Sequence, residues 1–143
     1  MTCDEIRKFP LKRLRVNGGD VLHGMKASDI GYKGFGEVYF SWVEANAIKG
    51  WKRHKRMTLN LVVPTGDVRF IFFDNADNSH FKELIIGDQD YSRLCVPPGI
   101  WFGFQGISNG KGSLIMNLAD IIHDPIEVER IPLDAVSFDW RRE

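Results

Sequence analysis

The run Lys49-Gly50-Trp51-Lys52-Arg53-His54 places two proton-active side chains, Lys52 and His54, two residues apart. On an extended strand, residues at that spacing share a face, so the two groups would act on one bound molecule. An imidazole whose unperturbed pKa is about 6.5 suits proton transfer near neutrality, which makes His54 a candidate general base. Lys52 would stabilise a developing oxyanion, or act as a base if desolvation lowered its pKa. The competing reading is a solvated strand end, because Lys52 to Arg56 is a continuous charged run. His23, His80 and His123 fall in turns or connections and receive no role.

The elements around this run read as strands. Glu37 to Val43 is rich in β-branched and aromatic residues and follows Gly31, Gly34 and Gly36. Met57 to Val63 and Val68 to Phe73 flank Pro64-Thr65-Gly66-Asp67, which predicts a hairpin in which the strand from Lys52 to Val63 pairs with Val68 to Phe73. Further strands are expected at Phe81 to Ile86, Arg93 to Val96, Ile100 to Phe104 and Ser113 to Leu118. Short helical pieces are expected at Pro125 to Arg130 and Leu133 to Val136. Many short strands separated by Gly- and Asn-rich turns indicate an all-β sandwich or barrel.

Composition narrows the function. The 143 residues, 43% hydrophobic and 27% charged, suffice for one folded domain. A formal net charge of zero removes the field that would draw the protein to nucleic acid or an acidic membrane. The first nine residues are too charged for a signal peptide and the apolar stretches are strand-sized, so a cytoplasmic protein without membrane contact is expected. Cys3 and Cys95 have neither metal-ligand spacing nor a disulfide framework and read as free thiols.

The stretch from Lys49 to His54, followed by Gly66, resembles the first signature of the cupin superfamily: two histidines one residue apart, an acidic residue and a glycine. Lys52, His54, Leu59 and Gly66 occupy those positions. Pro97-Pro98-Gly99-Ile100-Trp101-Phe102 resembles the second signature, with Phe102 in place of its histidine. Of four would-be ligands only His54 is kept, whereas a metal needs three or four donors, so neither a metal nor another cofactor is expected. Within cupins the chain resembles dTDP-4-dehydrorhamnose 3,5-epimerases and dTDP-4-keto-6-deoxyglucose 3,4-ketoisomerases. Val96 to Phe104, His123 to Arg130, Ile131 to Asp134 and Trp140 follow their pattern in order.

That resemblance implies an all-β double-stranded β-helix, a jelly-roll barrel, forming a homodimer. A single domain would comprise an N-terminal arm with the first strands (1–30), a barrel core (37–118) and a C-terminal segment (119–143). The family uses a histidine oriented by an aspartate as base and a tyrosine as acid. The ketoisomerase pattern assigns Lys52 and His54 to its two histidines, while the epimerase pattern lets either fill the base position. Asp134 matches the orienting aspartate, with a helix N-cap as its alternative. Asn117 stands where the tyrosine should be; its amide can hydrogen-bond an oxyanion but cannot deliver a proton as a phenol does. Lys49 matches an arginine that contacts the nucleotide diphosphate. Trp101 would wall the pocket, with core packing as its alternative; Phe102 would line the substrate site, and Tyr39 and Glu37 would lie near its mouth beside the nucleobase. The implied activity is epimerisation or isomerisation of a nucleotide-linked 4-keto-6-deoxy sugar in bacterial surface-polysaccharide (lipopolysaccharide) biosynthesis. The other reading is a non-catalytic cupin that binds a sugar or nucleotide sugar.

Overall fold

The computed structural model describes residues 2–74 and 80–142. Its strands, in chain order, are β1 (Arg7–Pro10), β2 (Arg13–Leu14), β3 (Val21–Leu22), β4 (Glu37–Val43), β5 (Ile48–His54), β6 (Leu59–Thr65), β7 (Asp67–Phe73), β8 (Lys82–Gly87), β9 (Ser92–Val96), β10 (Trp101–Gly106), β11 (Ser113–Ala119) and β12 (Val128–Arg130). Two five-stranded antiparallel sheets face each other. The first runs β1-β9-β6-β11-β4 and the second β12-β5-β10-β7-β8, with β2 and β3 as a separate ribbon. This is the jelly-roll barrel that the resemblance implies. No helix among the described residues is long and apolar enough to cross a membrane.

Alternation along the strands decides what faces the interior. Leu59, Leu61 and Val63 of β6 meet Phe70 and Phe72 of β7, Phe102 of β10 and Ile115 of β11 in one buried cluster. The intervening residues of the second sheet build another aromatic layer on its back. There Trp51, Ile71, Phe73 and Trp101 are covered by Val136, Phe138 and Trp140 of the C-terminal segment. Gly103 is required by that layer, because a Cβ there would sit 2.9 Å from the Trp51 ring.

The expected hairpin is not formed. β6 lies in the first sheet and β7 in the second, so Pro64 to Asp67 is a corner where the chain changes sheets. Likewise Lys52 to Val63 is two strands, broken at residues 55–58 and divided between the sheets. Gly66 takes a left-handed turn, φ 83°, and the corner bonds to neighbouring loops: Gly66 N–H donates to Asp88 and Asp67 N–H to Ser108 Oγ. A turn signal marks a reversal of direction; strands apolar on both faces leave open which sheet receives them. The Pro125 to Arg130 piece is helical only over Pro125–Glu127, a single 3-10 turn, and then becomes β12. The piece at Leu133 to Val136 is another 3-10 turn, Leu133–Ala135.

Candidate active site

β5 presents Lys52 and His54 to the barrel interior and Trp51 and Arg53 to its back. His54 is buried and its ring stacks on Phe102 with centroids 6.3 Å apart. Its Nδ1 lies 2.5 Å from Oε1 of Glu127, a carboxylate only 2% exposed. The other oxygen of that carboxylate accepts from the backbone N–H groups of Arg56 and Met57, at 3.1 and 3.2 Å. A local device sets Glu127 there: Asp124 caps the 3-10 turn by accepting from Ile126 N–H, and β12 then adds to the edge of β5, with Val128 opposite His54 and Arg130 opposite Lys52.

Burial lowers the His54 pKa below its ordinary 6.5, although the Glu127 hydrogen bond works in the other direction. Glu127 itself is raised by burial, but its bonds to His54, Arg56 and Met57 outweigh this and hold it below its ordinary value. The pair is therefore a neutral imidazole donating Nδ1–H to an ionised carboxylate. Nε2 carries the lone pair; it is buried and has no hydrogen-bond partner among the described residues. An oriented imidazole whose second nitrogen is not engaged in a hydrogen bond is the arrangement general-base catalysis requires.

Cavities of about 240 and 360 Å³ meet at Lys52. The first is lined by Ser41, Lys49, Phe102, Phe104 and Arg130, the second by Glu37, Tyr39, His54, His123 and Arg130. Lys52 makes no ion pair among the described residues, and its ammonium lies 5.7 Å from the centre of the Phe102 ring. Burial lowers its pKa, and Arg130 and Lys49 lower it further, against the attraction of Glu127. On the opposite wall, Asn117 of β11 is paired with Tyr39 of β4, and its Nδ2 donates to Tyr39 Oη at 3.0 Å. The buried Oδ1 of Asn117 has no partner. Glu37 borders the mouth and accepts from His123 N–H at 3.0 Å. A cleft of about 450 Å³ under the N-terminal arm, lined by Phe9, His23, Lys26 and Arg93, has no comparable histidine–carboxylate pair.

The structure brings together Lys49, Lys52, His54, Phe102, Tyr39, Glu37 and Asn117. Two expected residues lie elsewhere. Asp134 is exposed, and the carboxylate on His54 is Glu127 instead. After β12 the chain turns outward so that Leu133 can accept from Trp51 Nε1 at 3.1 Å, which carries Asp134 to the back of the sheet. Trp101 also belongs to the back, stacked on Phe73 and beneath Arg53, because it neighbours the inward-facing Phe102 on a strand. Sequence reasoning missed Glu127, Arg130 and His123. Among the described residues no group of three His, Cys, Asp or Glu side chains could hold a metal.

Neither a protein-family model nor a curated protein sequence matches the chain. Solved structures do. A dTDP sugar isomerase from Desulfovibrio desulfuricans G20 is 31% identical over 96% of this chain and 91% of its own, with a TM-score of 0.86. The chain belongs to the dTDP-sugar isomerase family. Two more distant structures share the fold of this isomerase family. One is a sugar 3,4-ketoisomerase from Thermoanaerobacterium thermosaccharolyticum in complex with TDP, 17% identical over 94% of this chain and 93% of its own, TM-score 0.74. The other is a 3,5-epimerase from Legionella pneumophila in complex with dTDP-4-keto-L-rhamnose, 16% identical over 98% of this chain and 80% of its own, TM-score 0.78.

Proposed function

We propose that the protein is an isomerase acting on a nucleotide-linked 4-keto-6-deoxy sugar, by removing and returning a proton on a carbon beside the ketone. The observation that carries this reading is the His54–Glu127 pair, whose buried Nε2 has no hydrogen-bond partner among the described residues, in a cavity wall shared with Lys52 and Tyr39. His54 Nε2 takes the α-proton. Lys52 takes up the negative charge that develops on the carbonyl oxygen. Tyr39, in place of the tyrosine that Asn117 lacks, returns the proton, with Asn117 holding its phenol in place. Lys49 and Arg130 supply point charge and a guanidinium fork for the diphosphate. Phe102 and Phe104 keep the sugar end dry, and Glu37 borders the opening where the nucleobase would sit.

The working form is a homodimer in the cytoplasm, where free thiols such as Cys3 and Cys95 persist. β4 is an edge strand of the first sheet, and its outward residues Val38, Phe40 and Trp42 are 43%, 60% and 60% exposed. They continue an apolar row with Leu118, Met116 and Leu114 of β11. An open apolar edge of this kind invites pairing with a second copy.

The test is proton exchange in deuterated water, followed by NMR at C3 and C5 of dTDP-4-keto-6-deoxyglucose. Exchange that depends on the protein is the expected result. Binding of the nucleotide sugar without exchange would replace the enzyme by a sugar-nucleotide binding protein.

A further inference from the structure

β12 is only three residues long and lies at the edge of the second sheet, beside β5. The site depends on it twice. It begins just after Glu127, whose carboxylate holds His54 Nδ1, and it sets Arg130 opposite Lys52. A short edge strand has few ladder bonds to fix its register, and a slip of one residue exchanges its two faces. Here such a slip would turn Glu129 inward and draw Glu127 off the imidazole. A contact on the outward face has to prevent it.

Arg53 makes that contact. It stands directly opposite Glu129, with its Nε and Nη2 at 3.1 and 2.8 Å from one carboxylate oxygen. Its guanidinium also lies 4.7 Å from the centre of the Trp101 ring, which braces the cation against the aromatic layer. The ends of the segment are tied down separately. At one end Arg56 pairs with Asp124 at 3.2 Å; at the other, Trp51 and Ile131 exchange backbone hydrogen bonds and Trp51 Nε1 donates to Leu133. The Arg53–Glu129 pair fixes the middle, two residues from Glu127.

We propose that Arg53 and Glu129 are positioning residues for the His54 base. Neither borders the cavities that meet at Lys52. Their ion pair, on the back of the sheet, selects the register of β12 in which Glu127 keeps the proton of His54 on Nδ1 and leaves the lone pair on Nε2. This rests on the reading of His54 as the base of a keto-sugar isomerase. Opposite charges facing each other across a strand pair favour the pairing and like charges disfavour it. The outward face of β12 thus governs which nitrogen of the imidazole carries the proton, because the tautomer follows the hydrogen bond that the ring makes.

The experiment uses the full chain labelled with ¹⁵N at histidine, with dTDP-4-keto-6-deoxyglucose added for rate measurements. Two-dimensional NMR of the wild type without substrate should show His54 as the Nδ1–H tautomer. Glu129→Lys sets two like charges opposite each other, so the ring should move toward the Nε2–H tautomer. Its α-proton exchange at saturating substrate should slow by roughly 10-fold, short of the 10²–10⁴-fold of a lost base. Reversing the pair, Arg53→Glu together with Glu129→Lys, should restore both readouts. Glu129→Gln removes the charge without repulsion and should move both in the same direction by less, which keeps the test available if the lysine variant does not fold. In a Glu127→Gln background Glu129→Lys should add little further loss of exchange, since the contact it acts through is already altered. Tautomer and exchange both unchanged in folded Glu129→Lys, or a loss that the reversed pair does not recover, would overturn the proposal. So would weaker binding of dTDP with tautomer and rate unchanged. If the wild type exchanges no proton, the keto-sugar reading falls, and the tautomers of the variants alone decide whether the pair holds the imidazole.

Discussion

Asn117 and Tyr39 face each other across β11 and β4, 78 residues apart in sequence, with the amide nitrogen 3.0 Å from the phenol oxygen. On the proposed mechanism the asparagine therefore does not leave the site without an acid. It occupies the position expected of a tyrosine and holds a different tyrosine, on the neighbouring strand, by its hydroxyl. Tyr39→Phe should keep α-proton exchange near the wild-type rate while net conversion drops by something like 10²–10⁴-fold, the range for a lost general acid. NMR of exchange and product in the same sample reads both. Equal loss of the two would place Tyr39 in substrate binding.

His54→Asn removes the open nitrogen but still fills much of the ring's place. Exchange should fall by about 10²–10⁴-fold, with affinity for dTDP, measured by calorimetry, little changed.

Glu127→Ala leaves three donors without an acceptor: His54 Nδ1–H and the N–H groups of Arg56 and Met57. Each unsatisfied buried donor costs on the order of 1–3 kcal/mol, so denaturant unfolding should show a clear loss of stability. Glu127→Gln can still accept from His54 or from the backbone and should lose less stability, yet it should lower exchange because the imidazole is no longer oriented by a charge.

The pH dependence has a definite sign. His54 is neutral in the native state with its pKa below 6.5, whereas in the unfolded chain it titrates near 6.5. As pH falls below that value the unfolded state takes up a proton that the native state does not, so stability declines until the native pKa is passed. Glu127, held below its ordinary 4.5, contributes stability that is lost as pH falls further through its native value. Unfolding measured from pH 7 down to about pH 2 should show both stages, and His54→Asn should remove the upper one. The acid limb of kcat/KM should likewise lie below 6.5.

Phe40→Lys combined with Trp42→Lys places two charges on the exposed apolar face of β4. Light scattering should show a dimer for the wild type and a monomer for this variant, with circular dichroism unchanged. A wild-type monomer at micromolar concentration would remove the dimer from the proposal.

The strands were legible because alternating apolar residues leave a mark in any single segment, and the common face of Lys52 and His54 followed from their spacing alone. What joins distant segments was not. Glu127 and Glu129 look alike in sequence, and only the register of β12 on β5 gives the first to His54 and the second to Arg53. Trp101 and Phe102 differ by one position, so the sidedness of β10 decided which of them lines the cavity. Asp134 was expected at the site because it matches the family's orienting aspartate, but the need to cover Trp51 and Phe73 takes its segment to the back of the sheet. The shift from one sheet to the other at Gly66 depends on partners in loops some 20 and 40 residues downstream, Asp88 and Ser108.

The aromatic layer behind the second sheet gathers three of the four tryptophans, Trp51, Trp101 and Trp140, and leaves Trp42 alone on the first sheet's open edge. Ultraviolet emission from this protein thus divides into two signals with separate meanings. The buried Trp51 and Trp101 and the partly buried Trp140, in contact with Phe73 and Phe138, emit to the blue of Trp42 and shift when the C-terminal segment lifts away from the sheet. Trp42, 60% exposed, emits to the red, is open to acrylamide quenching, and would shift to the blue in the proposed dimer. Docking of the C-terminus and association of two chains can therefore be followed separately in one cuvette, with no label attached.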